Sequence, residues 1–203
     1  MKTLWGYELV DIDYLPDLLS ADDFDYFTAK KYAGDMRIPK ELEAASTAIR
    51  NYCGWHLYPS LPCKLCANIQ NGRITRVGGD LLIQLPAKFV TEVETVTVDG
   101  EAYEFTFETN GILKVYDVPC HGRRAEVAVE YTAGLDEGMM GSMAELVAHQ
   151  STHALASSYG VTNETAGGVS ITYNAAWQNN TRASALSDND RAVLEPLRCQ
   201  GVF

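Results

Sequence analysis

At 203 residues the chain can bury one good core with room for one attached lobe. Its 46% hydrophobic and 21% charged content excludes wholesale disorder, and no apolar run approaches the roughly 20 residues that span a bilayer. The formal net charge of −11 gives a surface that phosphate backbones repel, which disfavours tight nucleic-acid binding.

The first nineteen residues carry scattered aromatics and acids without a clear period. Glu8, Asp11 and Asp13 fall where a secretory signal needs its apolar run, so the segment reads as neither a signal nor an anchor. It looks like an arm or a loosely docked stretch. The acidic run Asp11, Asp13, Asp17, Asp22, Asp23 and Asp25 reads most simply as a solvated face. Ser20 before ADDFDYFTAKKYAG predicts a helix, with Asp23 three places on in a variant of the capping box. A second helix over Ile38–Gly54 starts at Pro39, which has no amide hydrogen to leave unpaired. Leu42, Ala45, Ile49 and Tyr52 give it one apolar stripe, and Gly54 is placed to end it.

Strand-like sequence follows. LCANIQ and RITRV flank Asn71-Gly72, a tight-turn signal that predicts a hairpin. LLIQL comes after Gly78-Gly79. VETVTV runs into Asp99-Gly100 and YEFTFE, predicting another hairpin, although the alternation of VETVTV is only partly clean. ILKVYD follows Asn110-Gly111, and AEVAVEY closes the set. The expected product is a mostly antiparallel sheet folded on itself, as a small sandwich or open barrel. A third helix is predicted over about Glu137–Tyr159, or from a little later if Ser142 and Glu145 form a capping box, with Met140, Met143, Leu146, Val147, Ala154 and Leu155 buried and Gly160 at its end. Residues 161–186 read as a long polar loop with one strand-like piece, VSITY. Ser187 then caps a last helix, DNDRAVLEPL, with Asp190 in the box position.

Chemistry is sparse. His149 and His153 share a helix face, as zinc-binding histidines do, but the position after the first histidine is Gln150, which cannot take a proton from water as the zincin Glu does. Cys63-Lys64-Leu65-Cys66 has the gap of a zinc knuckle or redox pair. A structural zinc needs a second pair of ligands, for which adjacent Cys120-His121 is a poor pair and Cys53 and His56 are the other options. Five cysteines at uneven spacing do not make a disulfide framework. There is no GxGxxG and no GK[ST] loop. No cofactor, metal or catalytic residue is therefore assigned.

Five segments in order, ELEAASTAIRNYCGWHLYPS, LPAKFVTEVETVTVDGEAY, VAVEYTAG, ELVAHQSTHALASSYGVTNETAGGVSITYN and LSDNDRAVLEPLR, resemble the head–tail connector (head-completion adaptor) proteins of long-tailed bacteriophages over about residues 38–198. The resemblance implies a non-catalytic virion protein of the neck. Such proteins form a ring beneath the capsid portal, of twelve copies in most members. The ring extends the DNA channel, through which the genome passes without specific binding, and offers a platform to the stopper or tail.

The expected architecture is α+β, a small helical bundle with an inserted antiparallel β-lobe. An acidic arm and first helix would occupy 1–37, the bundle core 38–54 and 135–197, the β-lobe 55–134 and a C-terminal tail 198–203. Expected partners are copies of itself, the portal protein and the next neck or tail protein, with no membrane. Trp177, Arg198, Val202 and Phe203 are the expected anchors to them. The alternatives are another neck ring (stopper or tail terminator), a metal-dependent hydrolase built on His149 and His153, and a binding module that uses the β-lobe.

Overall fold

A computed structural model describes residues 1–119, 125–156, 163–166, 169–172 and 186–199. In chain order, β1 (Glu8–Leu9) precedes helices α1 (Ala21–Phe27) and α2 (Ile38–Cys53). Strands β2 (Leu61–Asn68), β3 (Ile74–Val77), β4 (Asp80–Gln84), β5 (Val90–Val98), β6 (Glu101–Ala102), β7 (Phe105–Phe107), β8 (Ile112–Val115) and β9 (Glu126–Ala133) follow. After a 3₁₀ turn, Glu137–Met139, come α3 (Gly141–Ala156), the short strands β10 (Asn163–Ala166) and β11 (Val169–Thr172), and α4 (Asp188–Leu194), which runs into a 3₁₀ turn, Glu195–Leu197. The protein is α+β. It divides into two compact units, Met1–Pro16 with Cys53–Glu137 and Leu197–Phe203, and Asp17–Tyr52 with Gly138–Pro196.

The β-rich unit holds two antiparallel sheets, ordered β1-β2-β9-β5-β6 and β3-β4-β8-β7. Both keep edge strands, so no barrel closes. The first is built on β2 and β9, paired from Leu61↔Ala133 to Asn68↔Glu126. That register sets buried Cys63, Leu65 and Ala67 opposite buried Tyr131, Val129 and Val127, which puts them on one face. β5 buries Val90, Val93, Val96 and Val98, a spacing no regular strand can direct to one side. Two register irregularities against β9 absorb the extra residues, so Val93 opposes Tyr131, Val96 opposes Val129 and Val98 opposes Val127. This is why VETVTV alternates only in part. In the second sheet, Ile74 pairs with Ile83, Leu81 with Val115, and Ile83 also with Leu113, and all five are buried.

Two hairpin predictions change. Asn71-Gly72 does turn the chain, with Asn71 N–H donating to Asn68 O at 2.8 Å, but β2 and β3 belong to different sheets. β2 is flanked by β1 and β9, so the turn carries the chain across to the second sheet. Asp99-Gly100 makes the predicted two-residue turn, both residues having positive φ (51° and 84°). Its ladder is only Thr97↔Ala102 and Val98↔Glu101, and Phe105–Phe107 then pairs with β8 instead.

Residues 1–9 are not a loose arm. β1 is an edge strand on β2, with Glu8 opposite Lys64 and Leu9 opposite Cys63. Leu9 is fully buried and Tyr7 nearly so. The Met1 amino group donates to Leu9 O, and Val10 N–H donates to Pro62 O at 2.9 Å. Two aligned residues are too few to leave a period in the sequence, which is why the segment read as irregular.

In the helical unit, Ser20 caps α1 by accepting from Asp23 N–H at 3.1 Å. The helix stops at Phe27, well before Gly34, because Ala29 and Lys30 adopt left-handed φ. α2 buries Leu42, Ala45 and Ile49 of its stripe, with Ile38 besides, while Tyr52 is only half-buried; Gly54 ends the helix at φ 77°. α3 buries Met143, Leu146, Val147 and Leu155; Ala154 is half-buried, and Met140 is buried just before the helix starts. The predicted end at Gly160 lies outside the described residues. Hydrogen bonds join the helices. Ser151 Oγ donates to Glu41 O at 3.5 Å, Arg37 Nη2 to Leu155 O at 3.3 Å, and Tyr52 OH to Glu195 Oε2 at 2.7 Å. Ser187 and Asp190 complete the full capping box at α4. The VSITY piece forms β11, which pairs with β10 rather than standing alone in a loop.

Candidate functional site

Of the expected anchors, Trp177, Val202 and Phe203 lie outside the described residues. Arg198 is exposed. The segment around it is not a free tail. Trp55, fully buried, donates its indole N–H to Leu197 O at 2.8 Å, and Cys199 N–H donates to Cys53 O at 2.8 Å. Cys199 itself is buried, so the chain is fixed in the β-rich unit at least to that residue.

The residue types with ligand chemistry separate according to the elements that carry them. Cys63 and Cys66 sit three apart on β2, and a strand sends residues of odd separation to opposite faces. Cys63 is buried and Cys66 exposed, so the pair cannot share an ion. Burial pushes the Cys63 thiol up to about 12 and that of Cys199 to about 11, the reverse of what a nucleophilic or redox cysteine needs. Cys120 and His121 lie outside the described residues. Among the described residues no three His, Cys, Asp or Glu side chains gather at one point.

On α3 the same reasoning brings residues together. His149 and His153 are one turn apart and both exposed, and their Nε2 atoms stand 3.1 Å from each other. The rings meet edge to face with centroids 4.5 Å apart. Partial burial lowers the pKa of His153, the neighbouring His149 lowers it further, and Asp190 works against both. Gln150 points elsewhere, because one residue along a helix is a rotation of about 100°. It is buried and donates its amide to Asp190 Oδ2, the carboxylate that also takes the N–H and hydroxyl of Ser187. The position that holds the base in a zincin is thus a structural tie between α3 and the cap of α4.

A buried polar link joins Tyr7 and His56, and no local pattern announces it. His56 is fully buried between two partners, Ala133 O at 2.9 Å from Nε2 and Tyr7 OH at 2.7 Å from Nδ1. A carbonyl only accepts, so Nε2 carries the proton and Nδ1 accepts from the phenol. The phenol oxygen in turn accepts from His56 N–H at 3.0 Å. Through these bonds the ring fastens β1 and the end of β9 to the segment after α2. The partners are 49 residues apart, and nothing in the local pattern marks them.

Among the described residues no helix is long and apolar enough to cross a membrane. No protein-family model matches the chain, and no curated protein matches it in sequence.

Proposed function

We propose that the chain is a head–tail connector of a long-tailed bacteriophage, a virion protein that forms a ring of its own copies beneath the portal, extends the DNA channel and carries the stopper or tail. One observation carries this reading: a β-rich unit, Cys53–Glu137, is inserted between two helical segments that belong to one compact unit. That is the plan of the family whose ordered segments the sequence resembles. The acidic composition agrees with a channel that must let DNA pass without holding it. The ring needs a head-to-tail contact that closes. The protein works by assembly, with no catalytic step.

The test is native mass measurement and electron microscopy of the full chain with and without its portal protein. The expected result is an annular complex on the portal. A chain that stays monomeric and unbound at every portal concentration would overturn the proposal. Deleting residues 200–203 removes Val202 and Phe203 without touching the hydrogen bond of Cys199, and should weaken portal attachment while leaving the fold unchanged.

A further inference from the structure

We propose that His149 and His153 form a bidentate binding site for a borderline divalent transition-metal ion (copper, nickel or zinc) on the exposed face of α3. Both of its ligands come from one chain.

The geometry carries the inference. Metal–imidazole bonds are about 2.0–2.1 Å long. Two such bonds that end on nitrogens 3.1 Å apart enclose an angle of roughly 95–102° at the metal. This lies between the right angle of square-planar or octahedral coordination and the tetrahedral angle, so no change in the helix is needed. The two Nε2 atoms are 3.1 Å apart while the ring centroids are 4.5 Å apart, so the nitrogens are the converging edges of the rings. Both rings rise from consecutive turns of one sixteen-residue helix, which fixes their separation before any ion arrives.

As they stand, one Nε2 carries a hydrogen and the other accepts it. An ion replaces that contact by taking both lone pairs. The ring that carried its proton on Nε2 changes to the Nδ1–H tautomer, and no proton is lost overall. No third His, Cys, Asp or Glu completes the set among the described residues. Glu145, exposed one turn before His149, and the net charge of −11 add long-range attraction for a cation. Soft and borderline ions that favour imidazole should bind in the order copper above nickel and zinc, with magnesium and calcium excluded. Gln150 is turned inward onto Asp190, so it takes no part in the site.

The experiment is calorimetric titration of copper, nickel and zinc chlorides into the untagged, unassembled chain carrying Cys66→Ser, which removes as a competitor the one exposed thiol among the described residues. His149→Ala and His153→Ala are compared in the same background. One ion per chain should bind at the pair, and each alanine variant should lose at least about tenfold in affinity, because a chelate becomes a single ligand. Both side chains are exposed, so circular dichroism should be unchanged. Equal affinity in all three proteins, or no binding by the parent, overturns the proposal. A second measurement needs no histidine variant. Substoichiometric copper should broaden the ring proton signals of His149 and His153 before those of buried His56, and broadening elsewhere first overturns it equally. Neither result bears on portal docking, so the two proposals fail separately.

Discussion

Tyr7→Phe tests whether the N-terminal segment is part of the β-rich core. The substitution keeps the ring and its contacts with Trp5, His56 and Tyr131 and removes only the hydroxyl. That oxygen donates to His56 Nδ1 at 2.7 Å and accepts from His56 N–H at 3.0 Å, in a site where His56 has no exposed surface. Its loss takes a partner from two buried polar groups at once. A buried group deprived of its partner costs about 1–3 kcal/mol, so the pair should cost about 2–6 kcal/mol. Against a total stability of about 5–15 kcal/mol for a domain, this is a large fraction. Urea unfolding of the unassembled chain, followed by tryptophan fluorescence, reads it directly. With a slope of about 1–3 kcal/mol per molar urea, the midpoint should fall by about 1 M or more. Tyr14→Phe, at an exposed tyrosine in the same acidic stretch, should leave it unmoved. A double-mutant cycle with His56→Leu should show coupling of about 1–2 kcal/mol. A Tyr7→Phe midpoint equal to that of the parent chain would refute the argument and return residues 1–9 to the status of an arm.

Gly134 follows β9 at φ 145°, and a Cβ there would lie 2.4 Å from Ser60 Cα and 2.5 Å from Pro59 O, both backbone atoms that cannot swing aside. Gly134→Ala should therefore cost about 3 kcal/mol or more in a thermal or urea melt, whereas Gly138→Ala, where a Cβ meets nothing, should stay within about 0.5 kcal/mol of the parent. Burial raises the pKa of Asp17, with Arg50 pulling it down and Glu43 pushing it up. A carboxyl whose pKa is raised on folding binds its proton more tightly in the folded chain, so its ionised form opposes folding above that pKa and ceases to as the pH falls through it. Asp17→Asn should accordingly stabilise the protein at neutral pH and make no difference at about pH 3. A variant less stable at neutral pH would show that the attraction of Arg50 prevails.

What could be read from the sequence was whatever is decided within one turn of chain. The Ser187–Asp190 box, the stop at Gly54 and the turn at Asp99-Gly100 depend on neighbours at most a few residues away, and each forms as expected. What could not be read is decided by distant partners. Asn71-Gly72 bends the chain as its residue types demand, but the strand beside β2 is β9, more than 50 residues on, and an eight-residue ladder outweighs a two-residue turn. β5 shows the same limit. Its buried valines are spaced three, three and two apart, and only the bulges against β9 make that a strand.

The candidate ligands carry the point to function. Cys63 and Cys66 and the pair His149 and His153 were both found by spacing alone. A separation of three on a strand of period two parts the side chains, while a separation of four on a helix of period 3.6 brings them together. The strand therefore rules out the cysteine pair as a shared site, and the helix assembles the histidine pair. The helix also turns Gln150 inward to Asp190, away from the histidine pair. Spacing nominates a site only once the period of its element is known.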